Sequence, residues 1–164
     1  MLPFSFSLRN ENVDIRLDDL THPAVHALLE EHMANMRAES PPECVFALDL
    51  DKLRAPGISF WTAWEGTDLV GCGAVRELDP AHGEIKSMRT PTALRRRGAG
   101  RAILQHIIAT ARQRGYRRLS LETGSTAGFA AAHALYRDAG FVETGPFGDY
   151  RPDPFSRFFT LELG

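Results

Sequence analysis

The stretch Gly83–Arg114, GEIKSMRTPTALRRRGAGRAILQHIIATARQR, decides the fold of this chain. Ile85 and Met88 are apolar positions typical of a strand, and Pro91 ends that strand because proline cannot donate to a ladder. After the run 95–100, RRRGAG, apolar residues recur at helical spacing, namely Ile103, Leu104, Ile107, Ile108 and Ala111. The stretch therefore predicts a strand, a glycine-rich loop and an amphipathic helix.

The loop has the chemistry of an anion site. Gly98 and Gly100 carry no Cβ, so a ligand can approach the backbone amides closely. Those amides stand at a helix start, where unpaired N–H groups and the positive dipole end favour an anion. Fixed positive charge comes from Arg95, Arg96, Arg97 and Arg101. The pattern predicts a diphosphate site, and a tight turn before a solvated basic helix end is the alternative.

Two common diphosphate ligands fit the loop poorly. In a dinucleotide-binding GxGxxG motif a third glycine would stand where this chain has Ile103, and the loop lies in mid-chain. The P-loop motif GxxxxGK[ST] occurs nowhere in the sequence. The remaining common diphosphate ligand is coenzyme A.

Composition sets the broad class. The 164 residues, 43% of them hydrophobic, predict one domain over 1–164 with an ordinary core. A net charge of −2 gives no global attraction to nucleic acid or to an anionic membrane. Cys44 and Cys72 are too few for a disulfide framework, and the sequence shows no signal peptide or membrane-spanning apolar run. We therefore expect a cytoplasmic protein with no nucleic-acid or membrane partner.

Two segments carry a family resemblance. Arg95-x-x-Gly98-x-Gly100 resembles the acetyl-CoA signature of the GNAT N-acetyltransferase superfamily. The segment Ala132–Phe141, AHALYRDAGF, resembles that family's late A-x-x-L-Y-x-x-x-G-F element, and the two segments follow each other in the family's order. The resemblance covers about residues 13–163, which it implies to be one acetyltransferase core.

The fold implied by the resemblance is a mixed, strongly twisted β-sheet of six to seven strands, flanked by helices on both faces. Two central parallel strands splay apart in that fold, and the pantetheine of the cofactor enters the gap. Periodicity and turn residues indicate where the elements lie. Helices are expected over 21–37 (capped by Thr21), around 48–53, over 98–114 and over 130–139, and strands over 13–17, 58–64, 69–78, 84–90, 118–123, 141–144 and 157–163.

The resemblance also assigns residues to acetyl-CoA. Backbone groups of Met88, Arg89 and Thr90 are expected to pair with the pantetheine amides. The diphosphate is expected over Arg96, Arg97, Gly98, Ala99, Gly100 and Arg101. This chain has Phe129 where many relatives carry an asparagine at the start of the late helix, so that polar contact to the cofactor is absent or replaced.

Acetyl transfer to an amine needs a base for the ammonium proton and an acid for the departing thiolate. Tyr136 is the candidate acid, because it occupies the tyrosine position of the late element; a core aromatic is its alternative role. Glu84, at the start of the strand before the loop, is the leading candidate base, although a pair with Lys86 would also explain it. Glu122 is the rival base, at the end of the expected parallel strand.

The acceptor pocket is less well defined by sequence. In the family it lies between the first helix, the loop after it and the last strand pair, which here points to His32, Asp149 and Arg151. Asp149 would hold an ammonium and Arg151 a carboxylate, as suits an amino-acid-like amine; a solvated loop is the alternative. His22 and His26 lack a third ligand, so no metal site is expected.

The sequence thus predicts an acetyl-CoA-dependent N-acetyltransferase. It would transfer the acetyl group directly, in a ternary complex, to a small-molecule or amino-acid-like amine. A non-catalytic acyl-CoA-binding or sensing module, a protein or peptide N-acetyltransferase and a nucleic-acid binder stay open as alternatives. The identity of the acceptor, the use of longer acyl-CoAs and the assembly, a homodimer included, are not fixed by the sequence.

Overall fold

The structure, a computed structural model, describes residues 13–44, 50–90 and 98–164. Within these ranges seven strands form one sheet in the order β1-β2-β3-β4-β5-β7-β6. The strands are β1 (Asp14–Leu17), β2 (Ile58–Glu65), β3 (Asp68–Asp79), β4 (His82–Arg89), β5 (Arg118–Gly124), β6 (Val142–Thr144) and β7 (Ser156–Glu162). The helices are α1 (Pro23–Glu39), α2 (Leu50–Leu53), α3 (Ala99–Gln113) and α4 (Ala130–Asp138). The predicted mixed sheet is confirmed.

The start of α1 differs from the prediction. The residue before the helix is His22, and its imidazole Nδ1 accepts a hydrogen bond of 3.0 Å from the Ala24 amide. Thr21 instead donates its hydroxyl to Asp19. The predicted cap at Thr21 is therefore wrong by one residue. The Thr21 hydroxyl is engaged in a local turn with Asp19, and the His22 ring supplies the acceptor that a helix start needs.

The central strands β4 and β5 are parallel, whereas every other described pair in the sheet is antiparallel. Their pairing is short: it runs from His82 opposite Arg118 to Ile85 opposite Leu121. Both strands continue beyond it, β4 to Arg89 and β5 to Gly124. The two strands therefore separate at their carboxyl ends, which opens a gap in the middle of the sheet.

A bulge in β4 changes which side chains share a face. Register with β3 passes from Ala74 opposite Lys86 to Cys72 opposite Arg89, so β4 has one extra residue. Ser87 takes the left-handed conformation there, with φ of 56°. Strict alternation would put Met88 on the face of Glu84 and Lys86, but the bulge turns it to the opposite face, where it packs against the α3 core.

Helices cover both faces of the sheet. On one face α3 and α4 pack over a core that includes Ile103, Leu104, Leu121 and Phe159, all nearly inaccessible to solvent. The predicted apolar stripe of α3 is this contact surface. On the other face α1 and α2 cover a second core that includes Leu28, Leu53, Phe60, Cys72 and Ala74.

Candidate active site

A cavity of about 840 Å³ lies where β4 and β5 separate. Its walls come from five elements: α1, the end of β4, the start of α3, the end of β5 and α4 with the turn before it. The site is therefore shared between both faces of the sheet, because the gap joins them. Among the described residues its lining includes His32, Met36, Glu39, Lys86, Ser87, Met88, Arg89, Thr90, Gly98, Ala99, Gly100, Arg101, Glu122, Thr123, Phe129, Leu135 and Tyr136.

The start of α3 forms one end of this cavity. Gly98 precedes the helix with φ of 81°, a left-handed conformation that suits glycine. A Cβ at Gly100 would meet only ordinary contacts from Leu135 and Thr90, so the space in front of it is open to a ligand. Arg101 lies 3.5 Å from Asp138 and is largely exposed. The predicted residues Arg96 and Arg97, like Pro91 and Arg95, fall outside the described residues.

The end of β4 forms the floor. Met88, Arg89 and Thr90 line the cavity, and β4 is no longer paired with β5 beyond Ile85. Backbone N–H and C=O groups on that edge are available to a ligand that pairs as an extra strand would. Cys72 supports the bulge, because its Sγ donates to the carbonyl of Ser87 at 3.3 Å. Burial raises the pKa of the Cys72 thiol to about 12, which keeps this donor protonated.

Phe129 stands at the start of α4, where its side chain makes no capping hydrogen bond. Its ring lies against Gly124 at the end of β5; a Cβ on Gly124 would come within 2.1 Å of the ring. The aromatic ring thus closes one wall of the cavity with an apolar surface in place of a polar contact.

Tyr136 lines the cavity from α4. Its ring packs against Phe141 and Phe159, with ring centroids 5.8 and 6.3 Å away. No described residue accepts a hydrogen bond from its hydroxyl. Burial raises the pKa of Tyr136 well above that of an ordinary phenol, with the nearby Glu122 carboxylate as a further cause. The hydroxyl therefore stays protonated and is available as a donor.

Glu122 enters the same cavity from β5. Burial raises its pKa to about 7, while a hydrogen bond from the Ser156 hydroxyl, 2.7 Å from Oε2, and the Lys86 charge act in the opposite direction. A carboxyl group with this pKa exchanges a proton at neutral pH, which is what a general base needs.

Glu84, the leading base candidate from sequence, is held differently. It is 2% exposed and lies opposite Ser120 in the parallel pairing, behind the cavity lining. Its Oε2 accepts a hydrogen bond of 2.5 Å from the Tyr150 hydroxyl and lies 3.4 Å from Lys86 Nζ. Lys86 also donates to the Tyr150 hydroxyl at 2.9 Å. The three groups form a largely buried hydrogen-bond network next to the cavity.

The acceptor residues expected from sequence separate into two groups. His32 lines the cavity from α1, and burial together with the Arg89 charge lowers its pKa to about 4. Asp149 and Arg151 are exposed and are not among the lining residues. From the same loop it is the Tyr150 side chain that contacts the sheet.

Sequence reasoning missed the side chains of Ser87, Arg89 and Tyr150. The one sequence feature that marks Tyr150 is its position between two charged residues. This feature does not indicate which side chain of the loop contacts the sheet.

Within 13–44, 50–90 and 98–164, no three metal-ligating side chains come together. No helix in the described part of the chain has the length and apolarity needed to cross a membrane.

Comparison with known proteins gives the family. The model described as Acetyltransferase (GNAT) family matches residues 25–141. A relative from Bacillus subtilis (strain 168), named uncharacterized N-acetyltransferase YsnE, is 54% identical over 149 residues, covering 91% of this chain and 99% of its own. An IAA acetyltransferase from Azospirillum brasilense is 38% identical over 153 residues, covering 93% and 99%.

A solved structure has the same fold. The crystal structure of a candidate acyl-CoA N-acyltransferase from Klebsiella pneumoniae superimposes with a TM-score of 0.78 at 29% identity, covering 93% of this chain and 98% of that one. The chain belongs to the GNAT acetyltransferase family. It is therefore an N-acetyltransferase whose cofactor is acetyl-CoA.

Proposed function

We propose that this protein transfers the acetyl group of acetyl-CoA directly to the amine of a small, amino-acid-like molecule, with both substrates bound together. The observation that carries the proposal is the single cavity between β4 and β5. It joins a helix start suited to an anion, a carboxyl group whose pKa is about 7 and a tyrosine hydroxyl with no described partner.

We assign acetyl-CoA, the acetyl donor, to the part of the cavity next to α3, and call this part the donor half. The diphosphate would lie over the amides of Gly98, Ala99 and Gly100, where the helix start favours an anion. Arg101, Arg96 and Arg97 would add charge. The pantetheine would run along the open edge of β4 at Met88, Arg89 and Thr90, and the ring of Phe129 would cover it from α4.

The proposed chemistry depends on proton transfers at two residues, Glu122 and Tyr136. Glu122, ionised above about pH 7, would take a proton from the substrate ammonium, directly or through water. The free amine then attacks the thioester carbon, the C–N bond forms and the C–S bond breaks. Tyr136 would give its proton to the departing thiolate, and the tyrosinate would regain a proton from the acylated nitrogen, which has to lose its second proton to become the amide. Glu122 would then release its proton to solvent. Holding donor and acceptor side by side supplies much of the remaining acceleration.

Glu122 is favoured over Glu84 by position. The Glu84 carboxylate already accepts a hydrogen bond from Tyr150 and faces Lys86, and it lies outside the cavity lining. We assign Glu84 the role of fixing the Tyr150 loop and the Lys86 ammonium beside the site.

A small acceptor is favoured by size. A cavity of about 840 Å³ has to contain the reactive end of acetyl-CoA as well as the acceptor. Ligand sites of roughly 300–1,000 Å³ are typical of small molecules. Tyr150 also fixes the loop between β6 and β7 to the sheet through its hydrogen bond with Lys86, which lines the cavity.

The test is a thiol-release assay with acetyl-CoA and a panel of small amines. Direct transfer predicts initial-velocity lines that intersect and an intact enzyme mass that is unchanged by acetyl-CoA alone. Parallel lines with a stable acetyl-enzyme would contradict direct transfer. Calorimetry that detects no heat with acetyl-CoA would remove the donor site itself.

A further inference from the structure

Three polar side chains meet on the α1 side of the cavity. Arg89 and Ser87 come from the bulged end of β4, and His32 comes from α1. All three line the cavity. The Arg89 side chain is 12% exposed and Ser87 is 8% exposed, so water has little access to either.

Each of the three has a buried polar atom without a partner among the described residues. These atoms are Nε of Arg89, Oγ of Ser87 and Nδ1 of His32. Buried polar groups in folded proteins are almost always hydrogen-bonded, so three such atoms around one cavity require an explanation. A bound ligand group is the simplest one.

The chemistry of the three atoms restricts that group. Arg89 Nε–H can only donate, the Ser87 hydroxyl can donate, and a neutral imidazole can carry its proton on Nδ1. Arg89 is also oriented, because its Nη2 lies 3.0 Å from Glu31 Oε1. Its Nε edge is thereby left for the ligand. A group that meets three donors must itself be an acceptor, and a carboxylate accepts strong charge-assisted hydrogen bonds from arginine.

The bulge in β4 determines which of the two substrates, acetyl-CoA or the amine, would carry the carboxylate. Arg89 is opposite Cys72 in the register of β3, and directly opposite residues share a face of the sheet. Cys72 lies in the core under α1, whereas Met88 packs on the α3 side. The Arg89 side chain is therefore directed away from the α3 helix start and into the acceptor half of the cavity.

We propose that Arg89, Ser87 and His32 form a carboxylate subsite for the acetyl acceptor. Resting on the proposed function, this names the acceptor class as amines that carry a free carboxylate, such as α-amino acids. It moves the carboxylate contact from Arg151, which is exposed, to Arg89. The backbone of Arg89 keeps its separate role beside the pantetheine.

The experiment compares acceptors that differ only in this group. The twenty standard L-amino acids and their carboxamides are assayed with acetyl-CoA by thiol release. Wild-type protein should prefer the best free amino acid to its carboxamide by roughly 100-fold in kcat/KM, since the carboxamide loses the charge-assisted hydrogen bonds that the carboxylate accepts. Arg89→Gln should bring this ratio close to one, mainly through a higher KM for the free acid.

Two more variants separate recognition from folding. Ser87→Gly removes the hydroxyl and accepts the φ of 56°, so it should lower the ratio by about 10-fold without backbone strain. Arg16→Gln breaks an exposed ion pair with Asp14 on β1 and should leave the ratio unchanged.

The outcomes distinguish the subsite from the proposed function. Equal rates with acids and carboxamides in the wild type, or an unaltered ratio in Arg89→Gln, overturn the subsite and leave acetyl transfer intact. Turnover with no member of either series also overturns the subsite. Calorimetry with acetyl-CoA then decides whether the donor half of the proposed function survives.

Discussion

The Ser156 hydroxyl donates a hydrogen bond of 2.7 Å to Oε2 of Glu122, joining the start of β7 to the end of β5. This bond stabilises the ionised carboxylate, whereas burial favours the neutral form. The pKa of about 7 is the balance of these opposing causes. The titration of this carboxyl group at neutral pH thus depends on contacts between residues that are more than thirty positions apart in the chain.

Ser156→Ala removes the bond and should raise the pKa of Glu122 further. A hydrogen bond to a charged group contributes about 1.5–3 kcal/mol, so a rise in the pKa of about one to two units is expected. The acidic limb of the kcat/KM profile should move upward by that amount. Ser125→Ala is the matched control, because the Ser125 hydroxyl donates to the carbonyl of Pro154 and not to Glu122. If the acidic limb of the kcat/KM profile stays at the same pH in both variants, Ser156 does not influence the pKa that governs catalysis.

Glu122→Gln and Glu84→Gln distinguish the two candidate bases. Wild-type kcat/KM should fall below about pH 7, where Glu122 becomes protonated. Glu122→Gln should lower kcat by 10²- to 10⁴-fold, the usual range for a general base, and abolish this limb. Glu84→Gln should keep the limb. The reverse pattern in the two pH–rate profiles would make Glu84 the base.

The same carboxyl group couples stability to pH. A folded-state pKa raised to about 7 from 4.5 stabilises the fold at low pH, and this contribution is lost as the pH rises through about 7. Glu122→Gln removes the effect. Relative to wild type, its free energy of unfolding should therefore increase between pH 4.5 and pH 8, by about 3 kcal/mol at most. Urea titrations at the two pH values measure it, and a difference that does not change with pH would refute the raised pKa.

Tyr136→Phe keeps the ring that packs on Phe141 and Phe159 and deletes the hydroxyl. Loss of the acid should lower kcat by about 10²-fold with little change in the KM for acetyl-CoA. Tyr116→Phe is the control, since the Tyr116 hydroxyl donates to Glu77 away from the cavity. If steady-state kinetics show equal kcat values for Tyr136→Phe and wild type, the tyrosine has only a packing role.

Gly124→Ala should displace the Phe129 ring, because the new Cβ would lie 2.1 Å from it. Overpacking of this kind costs about 1–3 kcal/mol, and the KM for acetyl-CoA should rise with the change in the cavity wall. Adding Phe129→Ala should restore the lost stability. Gly145→Ala, which meets nothing within 4 Å, should leave the melting temperature unchanged. An unaltered melting temperature in Gly124→Ala would show that the ring moves at no cost.

Prediction from sequence worked best where a signal is local. The apolar repeat of α3 and the turn at residues 65–68 gave element positions within about two residues of the structure. The cap of α1 shows the limit, because Thr21 and His22 are both polar and only their contacts show which one meets the Ala24 amide.

The site was predictable in kind but not in detail. Gly98, Gly100 and Tyr136 stand out in sequence because they belong to spaced motifs, and all three line the cavity. Glu84 and Glu122 look alike in sequence, each on a strand beside the expected gap. Their surroundings differ through Tyr150, more than sixty residues from Glu84, and Ser156, 34 residues from Glu122. No local pattern reports such contacts.

The sequence by itself determined the strand β4 and the helix α3 on either side of the glycine-rich segment, because backbone freedom and apolar spacing act between near neighbours. Tertiary structure alone decided the faces of Met88 and Arg89, which depend on a one-residue bulge against β3. It also decided the pKa of Glu122. Burial and charge at a point in space are sums over distant segments, and they exist only once the sheet has brought those segments together.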